Sequence, residues 1–252
     1  MTTKEENRES YFGFRQVSEE EKSTLVKDVF HSVANRYDLM NDLMSFGLHR
    51  VWKDIAVTHS GVRRGHTVLD LAAGSGDLTQ RLIQRVGDKG RVVSVDISRP
   101  MLQNCKRRMI DRGIINNVAY VLSNAENLPF ENRQFDCITI GLGLRNITRV
   151  QSALISMFRV LRPGGRILVL EFSRPSSKML TRLYDQYSFA IIPRIGRAVT
   201  GDEDSYRYLI ESIRRHPDQE RLQSMMTEAG FEDVRYLNLM GGVVALHVGF
   251  RY

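Results

Sequence analysis

The chain has 252 residues, 42% of them hydrophobic, which suits one domain with an elaboration, or two small ones, around an ordinary globular core. Its formal charge of +7 points to an anionic partner, nucleic acid or an acidic membrane surface, without choosing between them and without excluding a basic enzyme that binds neither. No apolar run reaches the length of a membrane span, the polar, acidic start from Met1 to Ser10 argues against a secretory signal, and Cys105 and Cys137 read as buried free thiols of a soluble intracellular protein.

The first ten or so residues carry no pattern and are expected to form a mobile tail. Ser18 opens a helix with Glu21 three residues on as a capping box, and Leu25, Val26, Val29, Phe30 and Val33 give it one apolar stripe. The stretch from Tyr37 to Trp52 mixes polar side chains with Met, Phe and Trp and fits neither helical nor strand period. Standing just before the first core strand, it is placed as a lid over a cofactor, a role compatible with a helical hairpin packed on the core.

The chain is organised around Thr67 to Asp77, where a short apolar run (Val68, Leu69, Leu71) ends in small residues and an amphipathic helix runs from about Leu78 to Val86. That is strand, tight turn and helix, the first unit of a nucleotide-binding α/β domain. Gly74 and Gly76 let the backbone lie against a ligand with no Cβ in the way. A dinucleotide fingerprint would need a third glycine; here Asp77 follows, an acid that argues against a pyrophosphate and for a cationic or zwitterionic ligand. The next apolar run (Val92, Val93, Val95) ends in Asp96, placed to accept both ribose hydroxyls. Acid, strand, glycines and acid fit S-adenosylmethionine, and no metal-ligand spacing appears among the histidines and cysteines.

Ser98 and Pro100 start a helix with Met101, Leu102, Cys105 and Met109 on one face. Further strands are expected at about Ala119 to Leu122, Phe135 to Ile140 and Arg166 to Glu171. Thr148 is expected to cap the helix between the last two, and Arg162-Pro163-Gly164-Gly165 to turn it into the final one. Five strands alternating with helices imply a parallel, doubly wound sheet. From Ser176 to about Arg215 apolar residues interleave with arginines, which suggests a helical insertion over an apolar pocket, touching lipid headgroups. Pro217 starts one more helix, and two strands joined at Gly241-Gly242 form a closing antiparallel hairpin.

With that core in place, two long segments resemble the C-methyltransferases of ubiquinone and menaquinone biosynthesis, within the class I S-adenosylmethionine-dependent methyltransferases. One contains Tyr37-Asp38, Met40-Asn41, Met44-Ser45, Gly47, His49 and Trp52; the other runs from Arg159 through Pro163-Gly164-Gly165 to Glu171 and Ser173. Phe12-Gly13-Phe14, Gly143-Leu144-Arg145-Asn146, Pro193-Arg194-Ile195-Gly196 and Asp204 to Leu209 extend the resemblance over nearly the whole chain. It implies a Rossmann-like α/β fold whose seven-stranded, mostly parallel sheet has its last strand antiparallel, with an N-terminal helical lid and a helical insertion after strand five. The divisions would be tail and lid over 1–60, cofactor-binding core over 61–175, insertion over 176–216, and a completing helix and strand pair over 217–252.

The resemblance implies S-adenosylmethionine as methyl donor, no metal, and a polyprenyl benzoquinol or naphthoquinol methylated at ring carbon. Cofactor positions map onto Ser75, Asp96 and Asn124-Ala125, beside Asp70, Gly74 and Gly76 of the turn. Gly141 stands where the family usually has serine, so only a backbone contact is expected there. Leu128-Pro129-Phe130 would wall the adenine. Arg145 is expected to hold the quinol as phenolate; it cannot act as a base, and Tyr37, Asp38, His31 or a water are the candidates for that role. The apolar substrate implies peripheral contact with the inner face of an anionic membrane and with other quinone-pathway enzymes, and a homo-oligomer is left open. Two rival readings are a nucleic-acid methyltransferase, disfavoured because no Asn/Asp-Pro-Pro-Tyr/Phe motif follows strand four, and a non-catalytic scaffold, disfavoured by the intact Asp70, Gly74, Gly76 and Asp96.

Overall fold

Val68, Leu69 and Leu71 are all buried, as are Val92, Val93 and Val95, so these runs are apolar on both faces and belong at the centre of a covered parallel sheet. The computed structural model describes residues 9–33, 37–45, 47–191, 194 and 203–252. Its main sheet contains β3 (Thr67–Leu71), β4 (Arg91–Asp96), β5 (Val118–Leu122), β6 (Phe135–Gly141), β7 (Leu161–Phe172), β8 (Glu232–Leu239) and β9 (Val244–Phe250). The order is β5-β4-β3-β6-β7-β9-β8, with β9 antiparallel to both of its neighbours and the other pairings parallel. The fold expected from the resemblance is the fold observed.

Alternate residues of each strand feed two separate cores. On one face, Val68, Val92, Leu168 and Leu170 pack with α4 (Asp77–Val86), α5 (Arg99–Asp111) and Trp52 of α3 (His49–His59). On the other, Leu69, Val93, Ile138 and Val169 pack with α6 (Val150–Val160) and α9 (Gln219–Glu228). Before the core come β1 (Glu9–Phe12), β2 (Arg15–Ser18), α1 (Glu19–Val33) and α2 (Tyr37–Ser45); α7 (Lys178–Gln186), a π-helical turn (Tyr187–Ile191) and α8 (Glu203–Arg215) lie between β7 and α9.

Several local expectations are met. Ser18 Oγ accepts from the Glu21 N–H at 3.1 Å, Ser98 Oγ caps α5, and Gly241 and Gly242 both take positive φ in the β8–β9 connection. Others are corrected. Thr148 does not cap α6: Arg149 precedes the helix, and its N–H donates to Glu126 Oε1 at 3.1 Å, so a carboxylate from another loop serves that end. The helix expected to start at Pro217 is α9, which begins at Gln219 with Asp218 as its cap, accepting from the Arg221 N–H. The turn expected at Arg162 to Gly165 lies inside β7, where the pairing with β6 jumps from Leu161 to Arg166. Most of the expected N-terminal tail lies outside the described residues, but its end is a hairpin: Phe12 stacks on Tyr208 of α8 with ring centroids 4.0 Å apart.

Candidate active site

The carboxyl ends of β3, β4, β5 and β6 converge on a cavity where the strand order reverses, between β3 and β6. Two non-glycine residues there hold left-handed backbone, Ala72 (φ +49°) and Leu142 (φ +59°), one after each adjacent strand. Such conformations cost about 1–3 kcal/mol each and persist where the surroundings fix them. Gly143 faces Ala72, and a Cβ on it would come within 2.5 Å of the Ala72 Cβ. Beyond Ala72 the turn brings the Gly74 N–H to Asp96 Oδ2 at 2.9 Å, while the Ser98 N–H donates to Oδ1 at 2.8 Å. Each oxygen keeps a lone pair, which is what a vicinal diol needs. Burial raises the Asp96 pKa, opposed by the N–H groups of Ser98, Gly74 and Ile97.

Asn124 and Ala125 line the same cavity, but the Asn124 Oδ1 already accepts from the Glu126 N–H at 3.0 Å. The oxygen keeps its second lone pair and the amide NH2 is free to donate, so the side chain can present either to a ligand. The cavity wall is Ile97 and Met101, not Leu128 to Phe130: Leu128 is buried in the opposite core and Phe130 packs edge-on against Phe135. Ser23, Val26 and Phe30 of α1 also line it, so α1 forms part of its cover. The stripe of α1 was visible in the sequence; that it faces a ligand cavity was not.

Asp70, Ser75, Gly76 and Gly141 do not line this cavity. Gly76 precedes α4 at φ +83°, where a Cβ would come 2.5 Å from Cys105 Sγ, and a Cβ on Gly141 would meet Leu78 at the same distance. Asp70 is fully buried and accepts from Thr79 Oγ1 at 2.7 Å and Thr139 Oγ1 at 2.9 Å, bracing α4 and β6 against β3. Burial pushes its pKa up to about 6, against those two hydroxyls. A raised folded pKa gives stability that is complete below the ordinary carboxylate value of about 4 and is lost as pH rises through about 6. Asp70→Asn is therefore expected to gain about 3 kcal/mol on wild type between pH 4 and pH 7, read by urea unfolding at both. Parallel pH profiles for the two proteins would count against it.

Asp77 also departs from expectation. Its carboxylate bonds Lys53 Nζ at 2.8 Å and pairs with Arg81, while His49 Nδ1 stands 3.9 Å away. Burial works to raise its pKa, but Lys53 and Arg81 prevail and hold it well below the usual range. The acid read as facing a cationic ligand is neutralised from within the protein, joining α3 to α4.

Arg145 is not a free cation. Its Nη1 donates to Glu171 Oε1 and to the Leu142 carbonyl, both at 2.6 Å, and both side chains of the pair are 1% exposed. The guanidinium lies 5.3 Å from the Phe172 ring centroid. Tyr37 and Asp38 stand in the first turn of α2, but their side chains, like that of His31, lie outside the described ones. Near β7, Met44, Trp52, Leu180, Tyr184, Tyr187 and Val243 line a second, apolar cavity of about 200 Å³. Trp52 meets Phe172 edge-on there. The buried hydroxyls of Tyr184 and Ser188 make no well-formed hydrogen bond with a described residue.

The profile of the ubiE/COQ5 methyltransferase family matches residues 15–251. Ubiquinone/menaquinone biosynthesis C-methyltransferases of Yersinia enterocolitica and Yersinia pestis are each 58% identical over 248 residues, covering 98% of this chain and 99% of theirs. Among solved structures, an S-adenosylmethionine-dependent methyltransferase from Aquifex aeolicus is 16% identical with a TM-score of 0.62, over 84% of this chain and 97% of its own. The [4+2]-cyclase SpnF is 15% identical with a TM-score of 0.67, over 91% and 96%. A cyclase among the matches shows that likeness at this level fixes the fold and not the reaction. The near-complete match at high identity does more: this chain belongs to the ubiE/COQ5 methyltransferase family.

Proposed function

We propose that this protein transfers a methyl group from S-adenosylmethionine to a ring carbon of a polyprenyl quinol, demethylmenaquinol or 2-methoxy-6-polyprenyl-1,4-benzoquinol, in respiratory quinone biosynthesis, without a metal. The observation that carries the reading is the 58% identity with C-methyltransferases of that pathway over almost the whole of both chains. The diol-ready Asp96, the donor amide of Asn124 and the apolar wall of Ile97 and Met101 fit a nucleoside without phosphates. When bound, the cofactor supplies an electrophilic methyl sulfonium.

What the chain contributes is placement and exclusion of water. The turn through Ala72, Gly74 and Gly143 holds the cofactor end, and the apolar cavity under α2, α3 and α7 takes the quinol ring and the start of its tail. Burial pushes the Tyr184 phenol up to about 12, so it stays protonated and serves as a donor to a quinol oxygen. Arg145 stands behind Phe172 as part of an ion pair, and Tyr37 and Asp38 are the candidate proton acceptors. Exposed Met179, Phe189 and Met240 fit peripheral contact with a membrane, since no described helix is long and apolar enough to cross one.

The test is methyl transfer from labelled S-adenosylmethionine to short-chain demethylated benzoquinol and naphthoquinol, with and without reductant. Reductant-dependent label at ring carbon is expected, because only the hydroquinone pushes electrons onto the carbon beside its oxygen. The ratio of the two rates names the preferred ring. No transfer to either ring by protein that binds the cofactor would sink the proposal.

A further inference from the structure

A third cavity, of about 240 Å³, lies between the β1–β2 hairpin, α1, α8 and the segment from Arg145 to Val150. It is separate from the apolar cavity and touches the cofactor cavity only through Ile147 and Thr148, which line both. Lys22, Arg145, Arg215 and His216 line it, with Ser10 and Thr148 hydroxyls between them, and no described lining residue is an aspartate or glutamate. The volume is several times the roughly 30 Å³ that a water occupies in the liquid.

Cationic groups and donors dominate this lining, beside the hydroxyls of Ser10, Thr148, Tyr208 and Ser212. Lys22 is buried, and among the described residues its Nζ bonds only the Ile147 carbonyl, at 3.5 Å. Burial lowers its pKa and Arg215 acts in the same direction, with Glu126 and Glu19 opposing. Arg215 lies over the Tyr11 ring, 3.3 Å from its centroid, in no described ion pair. The Nε of Arg145 and both ring nitrogens of His216 are buried and find no hydrogen-bond partner among the described residues. Buried donors without partners cost about 1–3 kcal/mol each. Two like charges beside one cavity, with two orphan donors buried in its wall, suit an anion with several acceptor oxygens.

We propose that this cavity binds a phosphate-type oxyanion, supplied either as free phosphate or as the headgroup of an anionic phospholipid. Such a ligand would bridge Lys22 on α1 and Arg215 at the end of α8, beside His216 just beyond it. Because α1 also carries Ser23, Val26 and Phe30 over the cofactor cavity, occupancy would hold that cover down. The site thereby couples anion binding to cofactor affinity.

The experiment uses the full chain in two arms. In one, inorganic phosphate replaces chloride at constant ionic strength while thermal unfolding and cofactor affinity are followed. In the other, the protein is floated with phosphatidylcholine vesicles with or without phosphatidylglycerol. If phosphate raises Tm and tightens S-adenosylmethionine binding about fivefold, and Lys22→Met and Arg215→Gln each weaken the response about tenfold, free phosphate is the ligand. If phosphate is inert but phosphatidylglycerol vesicles capture wild type, with capture lost in both variants and kept in Lys22→Arg, the headgroup is. Arg215 is exposed, so its variant is expected to fold even where Lys22→Met does not. The proposal is overturned if wild type responds to neither probe, or if Arg215→Gln responds as wild type does.

Discussion

Asp96→Ala is expected to weaken S-adenosylmethionine binding a hundredfold or more while leaving turnover of the bound complex far less affected. The carboxylate stands at the end of β4, with one oxygen fixed by the Gly74 N–H and the other by the Ser98 N–H. Those two bonds set its plane and leave one lone pair per oxygen, as binding a vicinal diol would require. Hydrogen bonds to a charged acceptor contribute about 1.5–3 kcal/mol each, so losing two costs about 3–6 kcal/mol, roughly 10²–10⁴ in Kd. Part of the loss is indirect, because the alanine also frees the Gly74 loop. Asp96→Asn separates the two contributions: it keeps one carbonyl acceptor and the shape, and should lose about tenfold. Calorimetry on both variants decides, and wild-type affinity in the alanine protein would remove Asp96 from the ribose site.

How much of this was legible follows from how local each interaction is. The strands were, because Val68 to Leu71, Val92 to Val95 and Phe135 to Ile140 are short β-leaning apolar runs broken only by Asp70, Ser94, Asp136 and Thr139. The caps at Ser18 and Ser98 and the Gly241-Gly242 connection were too, since each depends on neighbours within a few residues. What failed was long-range pairing of charge. Asp77 looked available to a ligand because Lys53, its partner, lies 24 residues earlier on a helix whose packing no local pattern specifies. Thr148 looked like a cap because nothing nearby announced that Glu126 would reach the Arg149 N–H. The β1–β2 hairpin was missed for the same reason: Phe12 and Tyr11 meet Tyr208 and Arg215, nearly two hundred residues on.

Arg145 is the sharpest instance, and the ion pair that holds it yields the second large effect. Glu171 Oε1 accepts from Arg145 Nη1 and from the Phe172 N–H at 2.9 Å, and Oε2 accepts from the Arg145 N–H at 3.2 Å. Removing one member of a buried pair strands the other charge, which costs about 3–5 kcal/mol, whereas replacing both with apolar side chains is often close to neutral. Glu171→Leu and Arg145→Met are each expected to lose stability on that scale in urea unfolding, and the double variant to recover most of it. The double variant then separates architecture from chemistry. If it is stable, binds the cofactor normally and has lost turnover, Arg145 handles the quinol oxygen in addition to bracing β6 against β7. If turnover returns together with stability, the pair only holds the Leu142 turn and Phe172 in place, and the donor to the quinol must be sought at Tyr184. The ion pair makes the second outcome the expected one, because a guanidinium already neutralised by a carboxylate has little field left to offer a phenolate.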